Sequence, residues 1–423
     1  VTVLLSDLRE RLVAPGAPVS APDGTTPDGA TESAPRESRA VVRARADRRR
    51  RRRRIKRSIG IILLVMVLVV GWSLGHALMR PGNDPVGTKF VEWARDHGGG
   101  GAVNRIEAWW YGNHQPPKGG SPKGGIPKVA APVAGRAATH VTTPPSTLPA
   151  VPAAVVPFVA NPLPGEGVWQ PTGKLVGGVP AVYQTFVRPD AVHTSLLAGI
   201  ISMDQRRLKS VLYNGLDVPG GGPWQRGASV APADDAGLVA AFNGGFRLDA
   251  SRGGYFTEGR TMRPLVPERA SFVIRSDGTA TVGSWVRDVA LTPDVVSVRQ
   301  NLDLIVDGGS AVPGLLANDN YRWGATLGGA IFVWRSGVGV DANGNLIYVA
   351  GELDIVSLAN VLARAGAVRA MELDINSGWV SAYVYQGTTP ADIQGVKLLG
   401  AIQRPPNRYL QTGTRDFIAL FAR

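Results

Sequence analysis

No cysteine occurs in the 423 residues, which excludes a disulfide framework, a thiolate metal site and a cysteine nucleophile. Histidine is nearly as scarce: there are five, and none forms a two-histidine metal pair on a helix. Neither a GxxxxGK[ST] loop nor a strand-linked GxGxxG is present, so the phosphate-cradling signatures of nucleotide binding are missing. Acidic side chains are outnumbered, 33 against 46 Lys and Arg, which leaves a net charge of +13. That excess is local. Residues 1–80 hold 16 basic and 7 acidic side chains, whereas the rest of the chain holds 30 and 26. A surplus confined to one run does not mark the chain as a nucleic-acid binder, and no nucleic-acid partner is expected. What the chain has in abundance is Gly (53) and Pro (32), the composition of long linkers and turn-rich β structure.

Residues 58–79, SIGIILLVMVLVVGWSLGHALM, carry one strongly polar side chain, His76. At about 1.5 Å per residue a helix of this length spans about 33 Å, enough for a hydrocarbon core of about 30 Å. Eleven basic residues crowd positions 43–57 just before it. By the positive-inside rule the N-terminal segment is cytoplasmic and everything after about residue 80 is outside. The expectation is a single-pass plasma-membrane protein with its N-terminus in the cytoplasm. A cleavable signal peptide is the competing reading, but the apolar run is too long and too far into the chain. The arginine run reads as a topology determinant that also touches anionic lipid.

Composition divides the chain further. Residues 1–57 read as a disordered basic cytoplasmic tail, 58–79 as the transmembrane helix and 80–114 as a juxtamembrane helical hairpin broken by the glycines Gly98 to Gly101. The hairpin belongs either at the membrane interface, through its tryptophans, or packed on the main domain. Residues 115–165, with 12 prolines in 51 positions, read as an extended Pro/Gly-rich linker able to hold the C-terminal domain on the order of 100 Å out. Residues 166–423 return to globular composition. There, strands are expected around 182–187, 194–203, 271–274, 301–306, 345–349, 368–375 and 417–421. One helix spans 354–365, with Gly366 as its left-handed stop. The fold class is α+β, a mixed β-sheet domain with few helices.

Candidate chemistry lies in four places. In 368–376, VRAMELDIN, strand alternation sets Met371, Leu373 and Ile375 on one face and Glu372, Asp374 and Asn376 on the other. An exposed sheet face tolerates such acids too, but a covering helix makes them buried carboxylates in need of partners. In Asn243-Gly244-Gly245 the glycines permit positive φ and close approach of a ligand; a plain hairpin turn explains the same letters. Asp307 stands at a strand end before two glycines. Arg335 places a guanidinium in a glycine-rich strand, where a phosphate or carboxylate is its natural partner.

Taken in order, AFNGGF, GGYFTEG, RASFVIRSDGTATVG, QNLDLIVDGG, WRSGVGVDANGN and a strand ending in ELDIN resemble the phosphodiester glycosidase family, which is related to the enzyme that uncovers mannose 6-phosphate tags. The resemblance spans approximately residues 168–423, and the anchor with a Pro-rich stalk looks like actinobacterial members. It implies hydrolysis of sugar 1-phosphodiesters, here of cell-envelope glycans. By motif, Asn243, Gly244 and Gly245 match the family's Asn-Gly-Gly, Arg335 its strand arginine and Asp374 the acid of its Asp-Gly-Gly-x-Ser. The departure is Ile375 and Asn376, which stand where the family has two glycines.

The expected roles are Asp374 as nucleophile or general base, Glu372 as its charge partner or proton donor, and Arg335 on the leaving phosphate. Asn243, Gly244, Gly245, Asp307 and Asn376 would bind substrate, with Trp379 or Tyr255 as stacking faces. No cofactor or metal is required, although Asp307, Glu372, Asp374 and Asn376 are oxygen ligands of the kind a divalent cation takes. The alternative is a non-catalytic wall-glycan-binding or scaffold protein retaining the fold.

Overall fold

The computed structural model describes residues 39–82, 84–134, 151–317, 322–323 and 332–423. The disordered tail expected for 1–57 thus lies outside the described residues as far as residue 38. The chain forms two compact units, Val1–Val70 and Gly71–Arg423. In the first unit the described residues belong to helix α1 (Arg39–Leu78). The basic residues 43–57 are therefore helical and not part of a disordered tail, because Arg and Lys are strong helix formers and continue the apolar segment's ladder without a break. Between Arg43 and Leu78 this helix is long and apolar enough to cross a membrane, by length and composition.

The second unit opens with α2 (Val86–Ala94) and α3 (Gly100–Asn113). They are separated where His97 leaves helical geometry and Gly98 takes φ +83°. The glycine run interrupts the helix because Gly alone reaches that conformation without a Cβ penalty.

The described parts of the Pro-rich segment, 115–134 and 151–165, make contacts with the domain. Val133 bridges to Lys174, Val155 is buried and donates its N–H to the Gly167 carbonyl at 2.9 Å, and Ile126 and Val129 pack against the main core. The physical reason is the apolar residues between the prolines: burying each is worth about 1.5–3 kcal/mol, and the prolines' fixed φ leaves little backbone freedom to lose.

The domain is sheet-rich α+β. Its largest sheet has eight strands, in the order Gln170–Val176, Val179–Val187, Ala198–Met203, Leu346–Leu353, Val333–Asp341, Ala367–Asp374, Leu304–Asp307 and Ser310–Ala311. A five-stranded sheet, in the order Gln394–Lys397, Ala382–Gln386, Leu238–Asn243, Phe417–Ala422 and Leu208–Tyr213, faces it. A third runs Arg260–Arg263, Tyr255–Thr257, Val295–Gln300, Ala270–Arg275 and Ala280–Ser284. Ladders between these strands are antiparallel among the described residues.

Two of the expected strands begin late. Residues 194–197 form a turn, with the Leu196 N–H on the His193 carbonyl at 3.0 Å and the Thr194 hydroxyl on Gly120 at 2.6 Å. Asn301 turns its amide onto a neighbouring strand.

The largest core lies between the first two sheets and includes Ile201, Val338, Tyr348 and Met371 from one and Ala240, Phe242 and Ile418 from the other. On the far side of the large sheet, Ile200, Ile347 and Val349 pack under helix α5 (Ile355–Arg364; the short helix α4 is Leu248–Ser251). Both faces are covered, so these strands are apolar at successive positions instead of alternating. Helix α5 has the anatomy its sequence predicts. The Asp354 carboxylate accepts the Ser357 N–H at 2.6 Å, Ile355, Leu358, Ala359 and Leu362 are buried, and Gly366 stops the helix at φ +101°.

In urea unfolding, Leu358→Ala should cost about 2–5 kcal/mol and Asp354→Ala about 1 kcal/mol. Equal costs would mean that α5 is held by its cap and not by its buried face.

Candidate active site

Strand Ala367–Asp374 does not keep simple alternation. The register slips between Ser336 and Gly337 of the neighbouring strand, so Glu372 lies opposite Gly337 and Asp374 opposite Ser336. Cross-strand partners share a face, and Ser336 and Gly337 point to opposite faces. The two carboxyls expected side by side are therefore parted by a bulge, which reverses the strand's facing over one residue.

Glu372 looks toward α5, where Arg335 stands two residues from Gly337. Arg335 Nη1 donates to Glu372 Oε1 at 2.7 Å and its Nε to the Leu353 carbonyl at 2.9 Å. Both side chains are almost fully inaccessible, at 1% and 0%. Burial raises the Glu372 pKa while Arg335 pulls it back down. Arg335 is thus occupied by a neighbouring acid inside the domain.

Asp374 faces the other way, toward the core between the sheets. It is 4% exposed, and its Oδ1 accepts the N–H groups of Ile375 and Asn376 at 2.8 and 3.0 Å. Burial pushes its pKa up to about 6, against the pull of Arg415 and of those two amides; Glu92 adds a smaller upward push. Asn376 closes the turn by accepting the Gly378 N–H at 2.8 Å.

Asn243 joins this side of the sheet. Its Nδ2 donates to the Ser336 hydroxyl at 3.0 Å, and its Oδ1 accepts from the Tyr348 hydroxyl at 2.8 Å and the Ser381 N–H at 3.3 Å. With Ser336 opposite Asp374, the fold brings Asn243 and Asp374 to one locality and turns Arg335 and Glu372 to the other face.

Gly244 and Gly245 are glycine for a different reason from the one the turn signature offers. Neither has positive φ among the described glycines. Instead, a Cβ on Gly244 would stand 2.4 Å from Asp416 Oδ2, and one on Gly245 3.1 Å from Asn301 Nδ2 and 3.2 Å from Arg299 Cζ. Arg299 Nε and Asp416 Oδ2 form a buried ion pair at 2.8 Å, which closes the space at Gly244. Asp307 lies elsewhere. It pairs with Arg287 at 2.7 Å and sits opposite Arg369, five residues from Asp374, or roughly 16 Å along a strand. Tyr255 is buried and gives its hydroxyl to Asn214 at 2.8 Å, so it offers no open stacking face. Among the described residues, no three Asp, Glu or His are grouped to hold a metal ion.

Trp379, expected as a stacking face, and three arginines that the sequence did not single out complete the locality. Trp379, 3% exposed, has the guanidinium carbons of Arg415, Arg408 and Arg404 at 4.6, 5.3 and 5.7 Å from its ring, within cation–π range. Arg408 donates to the Trp379 carbonyl at 2.8 Å, and Arg404 Nη2 to Asp84 at 2.6 Å. Arg415 is 9% accessible, its nearest carboxylate contact is Glu92 at 3.7 Å, and its buried Nε and Nη1 have no hydrogen-bond partner; neither does Trp379 Nε1. The available signal was Arg415-Asp416 standing immediately before the apolar strand Phe417–Ala422, a charged pair where burial begins.

The phosphodiester glycosidase family model matches residues 236–394. That stretch contains Asn243, Arg335, Glu372 and Asp374, while Arg415 and Asp416 lie beyond it. Among solved structures, the chain is similar to the zebrafish N-acetylglucosamine-1-phosphodiester alpha-N-acetylglucosaminidase catalytic domain, auto-inhibited by pro-peptide. The identity is 15% over 60% of this chain and 87% of that one, with a TM-score of 0.37. It is also similar to a hypothetical protein from Synechocystis, at 12% identity over 60% of this chain and 64% of that one, TM-score 0.32. No curated protein matches the chain.

Arg335→Met should cost about 3–5 kcal/mol by stranding the Glu372 charge, whereas adding Glu372→Leu should recover most of the loss; equal stability of the single and double variants in denaturant titration would contradict the pairing. Asp374 holds its proton to about pH 6 when folded but releases it near the ordinary carboxylate value, about 3.9, when unfolded. Its contribution to stability is therefore full below about pH 4 and lost as pH rises through about 6. Relative to Asp374→Asn, the wild type should lose up to about 3 kcal/mol across that window; parallel curves would contradict the assignment.

Proposed function

We propose that the protein is a membrane-anchored, extracytoplasmic hydrolase of sugar 1-phosphodiesters, acting on cell-envelope glycans. What supports this most is a buried carboxyl, Asp374, lying in the field of an under-partnered guanidinium, Arg415, in a chain whose residues 236–394 match the phosphodiester glycosidase model. The chemistry needs a base and a resident positive charge. With a pKa of about 6, Asp374 is ionised at neutral pH and basic enough to take a proton. In the proposed step a water oxygen bonds to the anomeric carbon as the bond from that carbon to the phosphoryl oxygen breaks. The electron pair leaves with the phosphate monoester, and Asp374 accepts the water's proton. The leaving group departs as an anion, so fixed positive charge serves it better than a proton donor does. Arg415 takes the role expected of Arg335 from the sequence, and Trp379 Nε1 adds a donor. Asn243 and Asn376 hold the turns around the base.

The test is turnover of a synthetic sugar 1-phosphodiester, with release of reducing sugar. Asp374→Asn should reduce kcat by about 10²–10⁴-fold, and wild-type kcat/KM should rise with pH through about 6 as Asp374 ionises. Tight binding of envelope glycan by the wild type with no turnover would favour the scaffold reading instead.

A further inference from the structure

The second unit contains a cavity of about 640 Å³ whose walls come from two sources of opposite character. One wall is Trp72 and His76, in the last two turns of α1, where the apolar run ends. The other is Arg247, Arg415 and Trp379 from the domain, with the carboxylates of Glu92, Asp96 and Asp249 among them. Those three acids pair with Arg247, which leaves Arg415 and Trp379 as the donors open to an anion. Arg415 is nine-tenths buried with two nitrogens lacking acceptors, the buried Trp379 Nε1 lacks one too, and Glu92 at 3.7 Å is too far to hydrogen-bond Arg415. A phosphodiester's non-bridging oxygens are the acceptors such a guanidinium takes.

The other wall belongs to a membrane surface. Trp72 is 74% exposed. The exposed side chains of α2 and α3 form apolar stripes at helical spacing, Val86 with Phe90 and Ile106 with Trp109 and Trp110. Aromatic residues of this kind, next to the end of a bilayer-length apolar helix, sit at headgroup depth. A phosphate site bordered by that helix end is at the level where lipid phosphates lie.

We infer that the substrate's aglycone is a lipid: the site takes a glycosyl-1-phosphoryl lipid from the membrane in which the protein is anchored, with the phosphodiester on Arg415 and Trp379 and the hydrocarbon chain leaving past Trp72. This rests on the hydrolase reading above and narrows its substrate class. Cleavage at the anomeric carbon adds water across that bond, leaving free sugar in solution and a lipid monophosphate in the bilayer.

The test uses the full chain in bilayer nanodiscs. Two diesters of the same sugar are compared at equal concentration, one with a long-chain lipid alcohol and one with methanol as aglycone. The lipid diester should be hydrolysed at least tenfold faster. Trp72→Ala, at an exposed position that leaves the core untouched, should lower the lipid-to-methyl rate ratio at least threefold. Equal rates on the two diesters, or a ratio indifferent to Trp72→Ala, would overturn the lipid aglycone while leaving the hydrolase intact. Turnover of neither would overturn the hydrolase reading and this inference with it.

Discussion

A charge taken out of water must be matched, and the end of this sheet sandwich is organised around that requirement. Several guanidinium and carboxylate groups are buried within a few strands of one another, and most are neutralised locally: Arg335 by Glu372, Arg299 by Asp416, Arg404 by Asp84. One match has a steric consequence. Asp416 of the Arg299–Asp416 pair would stand 2.4 Å from a Cβ at position 244, so that glycine is demanded by an ion pair far away in sequence. Asp374 and Arg415 keep capacity to spare, a carboxyl that burial drives toward its neutral form and a guanidinium short of acceptors among the described residues. Low dielectric makes such unmet capacity costly in the resting protein and strong toward a ligand that satisfies it.

The division of labour between the two acids hangs on a one-residue slip in register. Had strand Ala367–Asp374 alternated regularly, Glu372 and Asp374 would share a face and Arg335 would reach both. The slip opposite Ser336 and Gly337 hands Glu372 to Arg335 under α5 and turns Asp374 toward Asn243 and Ser336. Bulges re-aim side chains next to functional sites in this way.

That slip also marks where the sequence stops being readable. Helix α5 could be read to the residue, because its cap at Asp354, its apolar spacing and its stop at Gly366 are local signals. The break at Gly98 was local too, and so was the far end of the apolar segment, whereas the start of its helix was not, since the basic run carries the helix back to Arg39. The family's motifs pointed to Asn243, Arg335 and Asp374, and the fold does bring Asn243 and Asp374 into one locality. The pairing of Arg335 with Glu372 was not legible because it depends on a bulge, which leaves no local trace. Arg415, Arg408 and Trp379 were invisible as a set, since strands far apart in sequence bring them together. The prolines of 115–165 implied extension because composition reports backbone stiffness; Val155, Ile126 and Val129 instead dock on the domain, a tertiary effect that composition does not carry.

The apolar helix end, α2 and Arg415 with Trp379 line one cavity, so the proposed chemistry and the proposed anchoring are not independent features. The central claim is that Asp374, apart from Glu372, is a base poised by burial against Arg415. Carbon-13 NMR titration of the Asp374 carboxyl tests it most directly. The account predicts a midpoint near pH 6 that moves upward in Arg415→Met, because the replacement removes the charge favouring the ionised form. A midpoint in the ordinary carboxylate range, unmoved by loss of Arg415, would contradict it.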